Sequence, residues 1–424
     1  MWETQVERQH APGRAATALP VEPLMPRPVA MPQAPARWDW RFPVAAFAAI
    51  SGTIFLLSVL AHGHLPLLHH RHRLLQGPRW VHAFTWWDGW WYVGIARRGY
   101  VFFHPERQSP VAFFPLYPLT IRWLSAVMGG PVVAAISITL ASGLGAAVLF
   151  HRWCVEKLGA SKARLALLLL LLYPFAFYLM GAVYADALFL VLAVAAFLAL
   201  EHDRPVLAGL AAALATATRP VGVAVVLGLW VLALERKGVI GRLRPDRIRW
   251  WDLGTRMRRA DVGLLLAPGG LVAFCVFLWL RFSRPFAFLD TAGAPGWDQP
   301  AGFHTWFKIH WIKAMWHGPY TNGHFGHLLV NALATFVVAA FIPAVVRRFG
   351  WGYGVFAFVA VVATAVSTKD FVGMGRYTLA AFPCWAVAAD TLSRRPWLAR
   401  GALLVSACGL VMMAQLHARG TIIS

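Results

Sequence analysis

Apolar runs of roughly twenty residues recur along this 424-residue chain, and that is the length a helix needs to cross a hydrocarbon core about 30 Å thick. Inside a bilayer each backbone N–H and C=O must find its partner within the protein, so an open-ended spanning segment has to be helical. The runs fall at 43–61, 131–150, 165–180, 185–200, 262–282, 328–346, 352–367, 377–392 and 400–416, with a longer one at 206–234. They predict an all-α integral membrane protein, a polytopic helical bundle of about ten or eleven spans. Composition agrees. Charged residues make up 13% of the chain and hydrophobic ones 59%, whereas a soluble domain carries about 25% charged residues to face water.

The net charge of +21 would suit a nucleic-acid binder, but its distribution argues against one. Most cations sit in short segments between apolar runs, as the positive-inside rule places them in cytoplasmic loops. The chain is therefore expected to bind no nucleic acid. Residues 1–42, rich in Pro, Ala and Arg, predict a disordered cytoplasmic tail. Residues 43–424 then form one membrane domain with outer loops at about 62–130 and 283–327. The loop at 235–261 holds nine basic residues and should be cytoplasmic, as should His151–Arg164. This topology puts the N-terminus inside, the C-terminus outside, and 24 of the 39 Lys and Arg on the cytoplasmic side. Seven of the other 15 lie in or just after the first outer loop, and a loop that keeps cations on the wrong side has a use for them. Cys154, expected in a cytoplasmic loop, and Cys275, Cys384 and Cys408, expected in spans, form no CxxC pair and predict neither zinc site nor disulfide framework.

Residues 206–234 are too long for one span and too short for two. Arg219-Pro220 interrupts them, and proline breaks helix hydrogen bonding, so two half-length helices should meet near the outer side. Such breaks are tolerated where protein or a water-filled cavity surrounds them.

Six carboxylates face outward on this topology: Asp88, Glu106, Asp186, Asp290, Asp298 and Asp370. Asp88 stands among Trp86, Trp87, Trp90 and Trp91, and Trp87, Trp91 and Ile95 recur at helical spacing, which predicts a short interfacial helix. A carboxylate in so apolar a setting suits general-base work; Thr85 and Asp88 also have the spacing of a capping box. Pro115 and Pro118 predict a rigid aromatic turn around Tyr117. Asp186 follows a tight hairpin tip at Gly181–Tyr184 and is either a second acid or a favourable charge at a helix N-terminus. Arg219, Lys369 and Arg376 are the outer cations best placed for phosphate, which arginine can grip bidentately. Thirteen of the sixteen histidines fall outside, but no convergent carboxylate joins them, so no metal site is expected.

Trp87-Asp88-Gly89-x-x-Tyr92-x-x-Ile95-Ala96-x-x-Gly99-Tyr100, followed by Ala112-Phe113-Phe114-Pro115-Leu116-Tyr117-Pro118, resembles the PIG-V family, that is, GPI mannosyltransferase II and its bacterial relatives. Tyr184-Ala185-Asp186-Ala187, Ala217-Thr218-Arg219-Pro220 and Arg376-Tyr377 look similar in the family's order, although relatives often carry Thr-Glu where this chain has Ala185-Asp186. The resemblance implies a GT-C fold and a glycosyltransferase that takes its sugar, mannose, from a polyprenyl-phosphate carrier. It further implies that Asp88 activates the acceptor hydroxyl, and the acceptor could be a lipid, a glycan or a protein. Arg219, Arg376 and Lys369 would then face the leaving phosphate, and Trp90, Trp91, Tyr92, Tyr117 and Tyr184 would offer faces to sugar. No cofactor is implied, and the expected location is the plasma membrane with the active site extracytoplasmic. Two other readings fit the spans: a transporter or lipid flippase with a discontinuous helix, and a non-catalytic partner in cell-envelope assembly.

Overall fold

A computed structural model describes residues 38–68, 78–241, 256–297, 299–300, 302–318 and 324–421. Most of the predicted tail, much of the basic loop at 235–261, Asp298, and His69, His70 and His72 lie outside the described residues. Every regular element among them is helical.

Four helices are long and apolar enough to cross a membrane unaided: Arg41–His64 (α1), Pro131–Leu158 (α4), Gly326–Phe349 and Pro396–Ala418. A fifth crossing is available from Arg259–Leu266 and Gly269–Phe282, which bend by 44° at their junction. The expected ten or eleven spans counted apolar runs, and the remaining runs are shorter helices. These include Ala160–Leu171 (α5), Asp186–Glu201 (α6), Pro205–Thr216 (α7), Gly222–Arg236 (α8) and Phe382–Leu392. Proline and glycine explain the shortening. α5 stops just before Tyr173-Pro174, the 206–234 run divides at Arg219-Pro220, and the 377–392 run passes through a 3-10 turn at Thr378–Ala380 before restarting at Phe382-Pro383.

The predicted half-helix pair is present as α7 and α8. Its break stays satisfied because other segments reach in. The amide of Leu116 donates to the Ala217 carbonyl at 2.9 Å, and the Thr216 hydroxyl donates to the Ala267 carbonyl at 3.1 Å. A freed carbonyl that finds a donor in a neighbouring segment avoids the desolvation penalty of a buried orphan.

Two boundaries differ from the sequence reading. His151–Arg164 is no loop. α4 runs through it to Leu158, a single glycine turns the chain, and α5 starts at Ala160, so Cys154 is buried inside a helix. The Phe113–Pro118 segment is also more helical than predicted. Residues Leu116–Leu124 (α3) begin right after Pro115, with Pro118 in the first turn, where the missing N–H has no intrahelical acceptor to lose. The segment between α1 and α4 otherwise carries a 3-10 turn at Arg79–Phe84 and the short helix Asp88–Arg98 (α2).

The helix breaks collect at one end of the bundle. The turns before Asp186, around Arg219 and before Arg376 all lie there. At the other end of the same helices, Glu201 accepts hydrogen bonds from Lys157 (2.6 Å), Arg236 (3.1 Å) and Tyr353 (2.9 Å). α6 therefore separates Asp186 from Glu201 by about 22 Å at helical rise.

Candidate active site

Asp88 opens α2, and the residue before it, Trp87, has φ +54°. That left-handed conformation is costly for a bulky side chain and is held by flanking anchors. Trp86 is fully buried, and its indole N–H donates to the Ala418 carbonyl at 3.1 Å, while the Trp87 indole donates to the Thr421 carbonyl at 3.2 Å. The last residue of the Pro396–Ala418 helix and the short segment just past it thus supply the carbonyls that clamp the tryptophan pair and set where Asp88 points. The alternative capping box does not form: among the described residues no side chain caps α2, and the buried Thr85 hydroxyl has no hydrogen-bond partner.

Arg376 reaches Asp88 from the turn after the 351–367 helix. Its Nη1 donates to Asp88 Oδ2 at 2.9 Å, its Nη2 donates to the Tyr377 hydroxyl at 3.1 Å, and its Nε lies 3.8 Å from Asp186 Oδ1. Asp186 in turn accepts from Arg219 Nη1. The result is an alternating ladder, Asp88–Arg376–Asp186–Arg219, assembled from four separate segments. Aromatic faces complete it. Tyr377 stands between the two guanidinium groups, 4.7 Å from Arg219 and 4.9 Å from Arg376, and Tyr184 covers Arg376 at 4.8 Å. Arginine suits such a place because its planar group can stack and hydrogen bond at once. Gly375 is required beside Arg376, since a Cβ there would run into the Phe175 ring.

Exposure separates the two acids. The Asp88 side chain is 29% exposed and lines the cavity, whereas Asp186 is 5% exposed and lies behind the arginines. The cavity has a volume of about 1410 Å³. Of these two, Asp88 is the carboxylate open to the cavity, and Asp186 is the counter-ion beside the two buried guanidinium groups.

The other expected residues divide in the same way. Trp90, Trp91, Tyr92, Arg219, Lys369 and Arg376 line the cavity. Trp91 stacks on Phe113 at 5.7 Å and packs near Trp297 at 5.8 Å. Tyr117 and Tyr184, expected to face sugar, do not line it. The Tyr117 hydroxyl donates to the Ala135 carbonyl at 3.0 Å and shares a hydrogen bond with Thr139 at 2.8 Å. Tyr184 is buried, its hydroxyl directed to the Trp86 carbonyl at 3.3 Å. Both tyrosines serve to pack α2 onto α4 and α6.

Sequence reading missed Tyr377 as a site residue, although its adjacency to Arg376 was the available signal. It also missed Lys308, whose ammonium donates to the carbonyls of Ala365 and Thr368 and so docks its own loop beside the turn carrying Lys369 and Asp370. Burial pushes the Lys308 ammonium down to about 8, partly opposed by Asp370. Among the described residues no group of three His, Cys, Asp or Glu could hold a metal ion.

The model of the family described as mannosyltransferase (PIG-V) matches residues 76–236. No curated protein matches the chain. Among solved structures, ArnT from Cupriavidus metallidurans bound to undecaprenyl phosphate is similar at 16% identity and a TM-score of 0.48, over 90% of this chain and 76% of that one. The oligosaccharyltransferase of Archaeoglobus fulgidus, in complex with zinc and sulfate, is similar at 14% identity and a TM-score of 0.48, over 87% of this chain. This chain spans about half the length of that archaeal enzyme, 53%. The match to the mannosyltransferase (PIG-V) model thus spans the segment that supplies Asp88, Asp186 and Arg219.

Proposed function

We propose that the protein transfers a sugar, mannose by its family's description, from a polyprenyl-phosphate carrier to an acceptor hydroxyl, inverting the anomeric configuration. The observation that carries this reading is the accessible carboxylate of Asp88, held on one oxygen by Arg376 at 2.9 Å at the wall of a large cavity, within the matched segment. Asp88 accepts the proton of the acceptor hydroxyl as that oxygen attacks the anomeric carbon, and the sugar–phosphate bond breaks. Charge then builds on the leaving phosphate, where Arg219, Arg376 and Lys369 offset it, and a preorganised cation acts most strongly where water is excluded. Trp90, Trp91 and Tyr92 border the space the sugar needs.

The site end is assigned to the extracytoplasmic face of the plasma membrane. Support comes from the opposite end, which gathers Arg152, Lys157, Lys162, Arg236, Lys237 and Arg348, as the positive-inside rule requires of a cytoplasmic side.

The test is transfer by purified protein from radiolabelled polyprenyl-phosphate mannose to a panel of acceptors, with wild type and Asp88→Asn side by side. Transfer that requires Asp88 supports the reading. Equal transfer by both proteins removes Asp88 from the mechanism, and no transfer to any acceptor favours a transporter or an assembly partner.

A further inference from the structure

Asn331 is one of two asparagines among the 424 residues, and it is fully buried within the apolar helix Gly326–Phe349. Burying an amide among apolar neighbours costs free energy unless its polar atoms are hydrogen bonded. Both ends of this one are. Its Nδ2 donates to the His327 carbonyl one turn earlier at 3.0 Å, and its Oδ1 accepts from the backbone amide of Gly375 at 2.8 Å. A carbonyl on one side and an N–H on the other dictate which way the side chain must face.

The distant partner gives this arrangement its use. Gly375 immediately precedes Arg376, whose guanidinium holds Asp88 at 2.9 Å. The two lie in a single helical turn, Met374–Tyr377, and the first amides of a helix find no acceptor inside it. The Met374 amide turns back to the Phe371 carbonyl, and those of Arg376 and Tyr377 to the Gly373 carbonyl. The Gly375 amide crosses to Asn331 instead. Its carbonyl is held as well. The Thr378 hydroxyl donates to it at 2.9 Å and, with that proton committed, accepts from the Tyr173 hydroxyl at 2.9 Å. The Phe175 ring occupies the place a Cβ would need. Amide, carbonyl and Cα of Gly375 therefore each meet a fixed group, and the amide's group comes from the Gly326–Phe349 helix.

We propose that Asn331 is a positioning residue for the transfer reaction: by taking the Gly375 amide it sets the turn from which Arg376 reaches Asp88. This rests on the transferase reading above. Asn331 does not itself line the cavity, so it acts through Arg376 and not on substrate. The length of the arginine side chain magnifies any rotation of its backbone, and a misplacement of about 1 Å in a reacting group can cost about 10²-fold in rate. A buried backbone N–H left without its acceptor is costly, so losing the Asn331 oxygen drives the turn to seek another arrangement.

Leucine and aspartate are both close to asparagine in size and separate this role from packing. Asn331→Leu fills the space but offers the Gly375 amide no acceptor. Its kcat should fall about 10²-fold, with the KM for polyprenyl-phosphate mannose nearly unchanged, the pattern of an interaction lost in the transition state. Asn331→Asp keeps the accepting oxygen and should restore most of the lost rate. In Arg376→Lys, which has already lost the planar two-pronged hold, adding Asn331→Leu should cost little more, as expected of groups that act as a unit. A leucine variant as fast as wild type overturns the proposal, and so does an additive loss in the Arg376→Lys background or an aspartate that restores nothing. Thermal unfolding of wild type, the two single variants and the double one runs the same cycle without substrate. The drop in melting temperature from Asn331→Leu should shrink in Arg376→Lys, since contacting groups couple, and equal drops in the two backgrounds overturn the proposal. Wild type that transfers nothing sinks the transferase reading, and the unfolding cycle then decides by itself whether Asn331 places Arg376.

Discussion

The two ends of the bundle use the same residue types to opposite effect. At one end, Asp88, Asp186, Arg219 and Arg376 alternate in a ladder in which Asp186 is 5% and Arg376 8% exposed. At the other, Arg236 at 29% exposure meets Asp203 at 67%, and Arg152 at 41% meets Glu156 four residues on. These exposed pairs neutralise charge without needing any one of them, although Lys237 and Asp261 at the same end are only 18% and 8% exposed. Asp186, Arg219 and Arg376 have no water to replace a missing partner, so each of the three depends on the next, whereas Asp88 stays open to the cavity. The helix breaks follow the same division. At the basic end, Glu235 accepts from the amides of Trp351 and Gly352 at 2.6 and 2.8 Å, supplying from α8 the cap that Gly350 lacks a side chain to give. At the site end, the interrupted backbone leaves side chains pointing into a cavity. A helix terminus can therefore be closed by a carboxylate or opened into a binding place, and this molecule does each at opposite ends.

The largest effect should follow from Asp88→Asn. It keeps the shape and removes the base, and transfer should fall by about 10²–10⁴-fold while the melting temperature in detergent barely moves. A comparable loss of stability would mean that Asp88 belongs with the structural pairs. Next comes Asp186→Ala, which strands two buried arginines and should cost about 3–5 kcal/mol. Thermal unfolding is the readout, and the double variant Asp186→Ala/Arg219→Ala should be less unstable than the sum of the single ones, a coupling expected of residues in contact. Glu235→Gln should cost about 1 kcal/mol, the worth of a helix cap, with activity retained; lost activity would show that the two ends communicate. A pH effect should come from Lys308. Its folded value of about 8 lies below the 10.5 of a free lysine, so over that interval the unfolded chain binds more protons and stability rises with pH. Melting curves from pH 7 to 10 should show that rise, and Lys308→Met should flatten it. Asp203→Asn, at the exposed end, should leave the melting temperature unchanged, as surface pairs contribute little. A clear drop there would erase the contrast between the ends.

Much of the fold is legible locally because its causes are local. Arg219-Pro220 breaks a helix wherever it occurs, and the α7–α8 break is where the sequence puts it. The helical spacing of Trp91 and Ile95 gives α2. Span counting fared less well, since apolar content extends past the points near Pro174 and before Pro383 where regular helical hydrogen bonding is interrupted. Of the site, the identities of Asp88, Arg219 and Arg376 are apparent from their residue types at the outer end of apolar runs, but their roles toward one another are not. Tyr117 and Tyr184 look like sugar-stacking residues in sequence and prove to be packing ones, because which face of a tyrosine meets solvent depends on neighbours far along the chain.

By itself the sequence determined the solvent this protein folds in, the helical class that solvent allows, and the positions where helices must break. Only the tertiary structure decided that residue 376 would close on residue 88 across 288 residues, and that Asp186 would be shielded while Asp88 stayed open. The reason is the range of the forces. Backbone hydrogen bonding and hydropathy act within a few residues and leave a periodic trace in the sequence. An ion pair between distant segments forms only after packing has brought its two charges together.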